Sequence, residues 1–208
     1  MPESVKAPPS RAAAILPAPV FEWARTGAAA IGTVTHRLLA QMAGLHASVF
    51  DAPRTGLERR IRIELAAEGV DAGALDAATR DVLDAIDAVR IDPRGRWLFD
   101  ATHADAVSEW PLAGTDNGVI VHVTLDRSFV ADGARWIVDF KTGRHEGGAV
   151  DAFLAREVER YRGQLERYAR VVRSLDTRPI RLALYYPLVE GGWRDWAFEP
   201  AGTQASLF

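Results

Sequence analysis

The sequence predicts one mixed α/β (α+β) domain with an N-terminal helical addition. Three observations carry this: helical periodicity through the first part, a switch to short β-branched and aromatic strands, and one long amphipathic helix set between strands. At 208 residues the chain is long enough for a sizeable core. Hydrophobic residues make up 48%, enough for a well-buried core and against wholesale disorder.

Residues 1–20 are rich in Ala and Pro (Pro2, Pro8, Pro9, Pro17, Pro19) and read as a linker. From about Gly32 to Leu45, Val34, Leu38, Leu39, Met42 and Leu45 recur at helical spacing. Two more helical patterns follow, over 56–68 and 73–90. The second carries Leu75, Val82, Leu83, Ile86 and Val89 on one stripe and ends at the turn signal Asp92-Pro93-Arg94-Gly95. Strands are expected at 97–100, 106–112, 118–127 and 135–141, separated by Gly, Asp and Asn turns. A helix over 151–174 presents Leu154, Val158, Tyr161, Leu165, Tyr168 and Val172 as its apolar face. Two last strands, 180–187 and 193–198, flank Glu190-Gly191-Gly192. The domain therefore runs 21–198, with a helical part at 21–92 and the sheet and long helix at 93–198. Residues 199–208 read as a mobile tail.

The chain has no cysteine. That excludes a disulfide scaffold, a thiolate zinc site, a cysteine nucleophile and a cysteine-held iron–sulfur cluster. Its formal charge of -3 provides no global basic field, which fits a module fed by another domain better than an autonomous DNA binder. The stretch Ala12-Ala13-Ala14-Ile15-Leu16 is too short to span a membrane or act as a secretory signal, so a soluble cytoplasmic protein is expected.

The chemistry concentrates in two neighbouring strands. Val119, Val121, Val123 and Leu125 share one face and read as core, while Ile120, His122, Thr124 and Asp126 share the other. In the next strand Trp136, Val138 and Phe140 share a face, with Asp139 and Lys141 opposite. If the two strands pair, Asp126 and Asp139 converge at one end of the sheet with Lys141 beside them. Two carboxylates suffice to anchor a hard cation such as Mg²⁺, which keeps several waters. Such an ion lowers the pKa of bound water and offsets charge on a phosphodiester oxygen, and the lysine adds to that stabilisation. For an isolated Asp-x-Lys, a surface ion pair is the commoner use.

Ile137-Val-Asp-Phe-Lys-Thr-Gly143 resembles the Asp-Tyr-Lys-Thr-Gly core of PD-(D/E)XK nucleases, especially the RecB/AddA nuclease domains of bacterial helicase–nucleases. Ile31-Gly-Thr-Val-Thr-His36-Arg-Leu-Leu39 is similar to that family's Gly-Thr-x-x-His-x-x-Leu helix motif. Glu109-Trp-Pro-Leu112 is similar to its Glu-containing strand, and Gln164-Leu-Glu-Arg-Tyr168 to its Gln-x-x-x-Tyr helix motif. The resemblance covers roughly residues 21–198. It implies a restriction-endonuclease-like mixed sheet flanked by helices. It also implies Mg²⁺, replaceable by Mn²⁺, held by His36, Asp126, Asp139 and the Phe140 carbonyl, with Lys141 catalytic. Gln164 and Tyr168 would support the site or touch the DNA backbone; Glu109 would ligate the ion or stand behind it. The implied partners are DNA and a superfamily-1 helicase, in cis or in trans, in double-strand-break repair. No Walker-type loop exists in the chain, so ATP-driven activity would belong to another domain.

Val123 stands where the family has glycine. His122 lies about 13 Å from Asp126 along the strand and is not expected to ligate. His103 and His145 read as loop residues near DNA, and His46 has no case. A catalytically inactive scaffold is the alternative, as is a stand-alone restriction-type enzyme; the complete acid–lysine set weighs against the first. At the C-terminus, Gln204, Leu207 and Phe208 resemble a sliding-clamp-binding pentapeptide.

Overall fold

The computed structural model describes residues 20–44, 54–116, 118–145 and 147–200. Within them the chain forms α1 (Val20–Gly44), α2 (Arg54–Ala67), α3 (Leu75–Ile91), α4 (Pro93–Leu98), β1 (Ala104–Asp116), β2 (Val119–Ala131), β3 (Ala134–Phe140), α5 (Val150–Arg173), β4 (Ile180–Tyr185) and β5 (Trp193–Ala197). The linker residues 1–19, His46, and the tail residues Gln204, Leu207 and Phe208 lie outside the described residues. Among the described residues, no helix is long and apolar enough to cross a membrane.

The five strands form one mixed sheet in the order β1-β2-β3-β4-β5. All neighbours are antiparallel except β3 and β4, which are parallel because α5 carries the chain back between them. Helices cover both faces. On one side Trp136, Val138 and Phe140 of β3 meet Val34, Leu38 and Leu39 of α1 and the apolar stripe of α3. On the other, Ile137 of β3 and Leu182 and Leu184 of β4 meet Leu154, Leu165, Ala169 and Val172 of α5. The alternation of β3 is thus used twice, and the whole strand is buried. Fully burying one such Leu, Ile or Phe is worth about 1.5–3 kcal/mol.

Several expectations need correction. The segment 97–100 is not a strand: Asp92 accepts a hydrogen bond from the Arg94 amide and Pro93 takes the first helical position, so the apparent turn is a helix start. α4 then drives Leu98 into the core. α1 begins well before Gly32, taking in Gly27. β1 and β2 are each 13 residues long and pair through to Asp116 and Val119, whereas β2 pairs with β3 only over Arg127–Ala131. The far half of this hairpin is therefore an arm projecting past β3. Val119, read as core, is 63% exposed because it lies at the arm's tip.

Candidate metal centre

The site is built from a defect in the β1–β2 ladder. On β2, Leu125 packs towards α5, yet Arg127 points the other way, donating to the Leu98 carbonyl at 3.1 Å. Residues two apart on a regular strand share a face, so the alternation breaks at Asp126. β1 breaks opposite it. Trp110 packs towards α5, while Ser108 accepts from Arg127 at 3.2 Å on the other side. Ser108↔Arg127 and Trp110↔Leu125 flank the interruption, and the residue between them on β1, Glu109, has φ 48, in the left-handed region. That conformation costs a residue with a Cβ about 1–2 kcal/mol. The two residues at the break carry the two carboxylates.

His36 meets them from α1. Its Nδ1 lies 3.4 Å from Asp126 Oδ1 and its Nε2 3.1 Å from the Phe140 carbonyl oxygen. Asp126 Oδ2 accepts the Phe140 backbone N–H at 2.8 Å, which ties β2 to the end of β3 where the full ladder has ended. One ligand atom each from His36, Glu109 and Asp126 fall within 4.8 Å of one another. An open cleft of about 540 Å³ leads to them, lined by Thr33, His36, Arg37, Ala40, Gln41 and Glu109. Arg37 in its wall is already matched by Glu64 and Glu68 at 3.1 and 2.8 Å.

Asp139 and Lys141 lie on the α5 side of β3. Asp139 is 3% exposed; its Oδ1 accepts from Gln164 Nε2 at 3.3 Å and its Oδ2 is 2.6 Å from Lys141 Nζ. Gln164 Nε2 is also 2.6 Å from Tyr168 Oη, so the two α5 residues act one behind the other. Tyr161, which sequence alone reads only as a core aromatic, places its ring 4.0 Å from Lys141 Nζ. The signal was present: Tyr161, Gln164 and Tyr168 fall at i, i+3 and i+7, one stripe of a helix.

The charges are unbalanced. Burial, with the Asp126 charge behind it, pushes the Asp139 carboxyl up to about 6 against the opposing pull of Lys141. Burial and Asp126 also raise Glu109. On His36, burial opposes charge, but the hydrogen bond and field of Asp126 win and raise its pKa. Lys141 behaves likewise, with Asp139 outweighing burial. Three carboxylates and an imidazole around one ammonium form a donor set that suits a divalent cation: oxygen ligands for Mg²⁺, with an imidazole that Mn²⁺ accepts readily.

Of the residues singled out from sequence, His36, Glu109, Asp126, Asp139, Phe140, Lys141, Gln164 and Tyr168 are brought together. Glu109 joins His36 and Asp126 most closely, while Asp139 and Lys141 lie on the α5 side of β3, linked to them where Asp126 accepts the Phe140 amide. His103 is not an open loop residue: it stacks on Phe129 at 4.2 Å and its Nε2 lies 2.6 Å from the Trp97 carbonyl. His145 stacks on Phe153 in the loop before α5, and His122 is exposed on the arm. Arg144, three residues past Lys141, reaches α3 and pairs with Asp81 and Asp84 at 3.3 and 2.6 Å. No family model matches the chain, and no curated protein matches its sequence.

Proposed function

We propose that the chain is a metal-dependent deoxyribonuclease of PD-(D/E)XK type, working as the nuclease module of a cytoplasmic helicase–nuclease in DNA repair. The supporting observation is that His36, Glu109 and Asp126 meet at the inner end of one open cleft, with Asp139 and Lys141 paired at the adjoining end of β3. The unmatched negative charge there is what a divalent ion would complete. His36, Asp126, Glu109 and Asp139 would hold it, with the Phe140 carbonyl beside them. When bound, the ion supplies an activated water and offsets charge on the scissile phosphate.

The protein side chains then have distinct tasks. His36 binds through a neutral ring nitrogen and so must lose its proton first. Lys141 presents its ammonium to the oxygens on which charge grows as water adds to phosphorus and the P–O bond breaks. Gln164 and Tyr168 keep Asp139 in one rotamer. The complete acid–lysine set favours an active enzyme over an inactive scaffold.

The test is cleavage of labelled DNA oligonucleotides by the purified chain with Mg²⁺, with Mn²⁺ and with chelator, in parallel with metal calorimetry. Cleavage should require metal, and Lys141→Ala should lower turnover about 100-fold or more while metal still binds. Metal binding without cleavage of any DNA, or cleavage indifferent to Lys141, would overturn the reading. The same reading gives the C-terminal segment a sliding clamp as partner. A labelled peptide of residues 199–208 should bind one at micromolar affinity and lose binding when Leu207 and Phe208 become alanine; no binding by the parent peptide ends that part.

A further inference from the structure

We infer that Tyr161 is a positioning residue for Lys141, holding its ammonium by a cation–π contact when the Asp139 charge is shared with the metal; this rests on the nuclease reading. A lysine side chain has four rotatable bonds, so an ammonium that must face one phosphate oxygen needs anchors. Asp139 Oδ2, at 2.6 Å, is the first. Yet Asp139 is also the group whose charge a bound cation would draw upon, and its other oxygen is taken by Gln164. A lysine anchored by Asp139 alone would lose most of its hold when the metal arrives.

The Tyr161 ring remains. Its centroid lies 4.0 Å from Nζ, well inside the roughly 6 Å over which a cation is attracted to an aromatic face. The ring is half-buried on α5, with the Arg160 guanidinium 5.1 Å from it. Unlike a carboxylate, a ring face does not compete for the metal, so it can hold the lysine through the metal-bound state. One stripe of α5 thus orders the whole strand end: Tyr161 for Lys141, Gln164 for Asp139, Tyr168 for Gln164.

The sequence makes the test clean, because the chain has two lysines, Lys6 and Lys141. In the full chain labelled with ¹³C-lysine, the Lys141 ε-methylene signal should be shifted upfield by the ring current, without and with Mg²⁺. Tyr161→Phe keeps the ring and should keep both the shift and the turnover. Tyr161→Leu should return the signal to the position of a free lysine and lower kcat about three- to thirtyfold, with KM little changed. An unshifted Lys141 signal in the parent protein overturns the inference, even if the leucine variant fails to fold. So does a leucine variant that turns over like the phenylalanine one. Absence of any metal-dependent cleavage in the parent would instead count against the nuclease reading, and the spectrum would still decide the lysine–ring contact.

Discussion

Two strand carboxylates beside α5 have opposite fates. Asp116, at the end of β1, is 7% exposed and Asp139, in β3, is 3% exposed. Asp116 lies near the surface under a cover of guanidinium groups: Oδ1 accepts from Arg170 at 2.6 Å, and Oδ2 from Arg167 at 3.1 Å. The Arg170 hydrogen bond leads the effects that hold its pKa below the ordinary carboxylate value. Asp139 has one ammonium, deep burial and a second carboxylate nearby, and its pKa rises. Two cations for one anion make a clasp that fixes the hairpin arm to α5. One ammonium and one imidazole among three carboxylates leave a place where negative charge is in excess, which the proposed cation would offset.

The largest expected contrast is in activity. Asp139→Ala should lower DNA cleavage about a thousandfold or more, whereas Asp116→Ala, far from the cleft, should leave kcat within about twofold by the same reasoning. Steady-state assays on both variants check this, and equal losses would dissolve the distinction. Smaller, but of opposite sign, are the effects on the metal-free fold. Asp139→Asn removes a buried, poorly matched charge and should raise the thermal midpoint at pH 7.5; Asp116→Asn leaves two arginines without their acceptor and should lower it. The smallest effect is the pH dependence. Because Asp139 is raised in the folded state, the stability it contributes is present below the unfolded carboxyl pKa and is lost as pH rises through about 6. His36, also raised, adds a loss in the same direction at higher pH. Asp116 is lowered, so its contribution is present above the unfolded value and is lost only as pH falls below it. The metal-free thermal midpoint should therefore decline between pH 5 and 8 in the parent and less in Asp139→Asn, and saturating Mg²⁺ should remove most of the decline.

Much of the site was legible because strand and helix periodicities are local. Alternation put Asp139 and Lys141 opposite Phe140, and helical spacing put Gln164 and Tyr168 on one side of α5. What was not legible depends on distant partners. Trp97 and Leu98 carry strand-like composition, but Asp92 and Pro93 start a helix before them. Glu109 looks like an ordinary alternating strand residue, and its left-handed backbone belongs to a ladder break that involves β2 as well. The reach of the arm to Val119 rests on Asp116 finding Arg167 and Arg170, 51 and 54 residues later. A pattern within ten residues carries none of this.

The strap from Arg144 to Asp81 and Asp84 makes the lysine-bearing strand end responsive to dissolved ions. Its three side chains are 43%, 45% and 50% exposed, whereas those of Lys141 and Asp139 are 20% and 5%. Counter-ions screen exposed charges over about 10 Å at 0.1 M salt and reach buried ones far less. Rising ionic strength therefore loosens the seam between α3 and the segment after Lys141 while leaving the inner ion pair intact. One of the molecule's salt-sensitive contacts thus lies at the join between its helical part and its sheet, three residues from the ammonium.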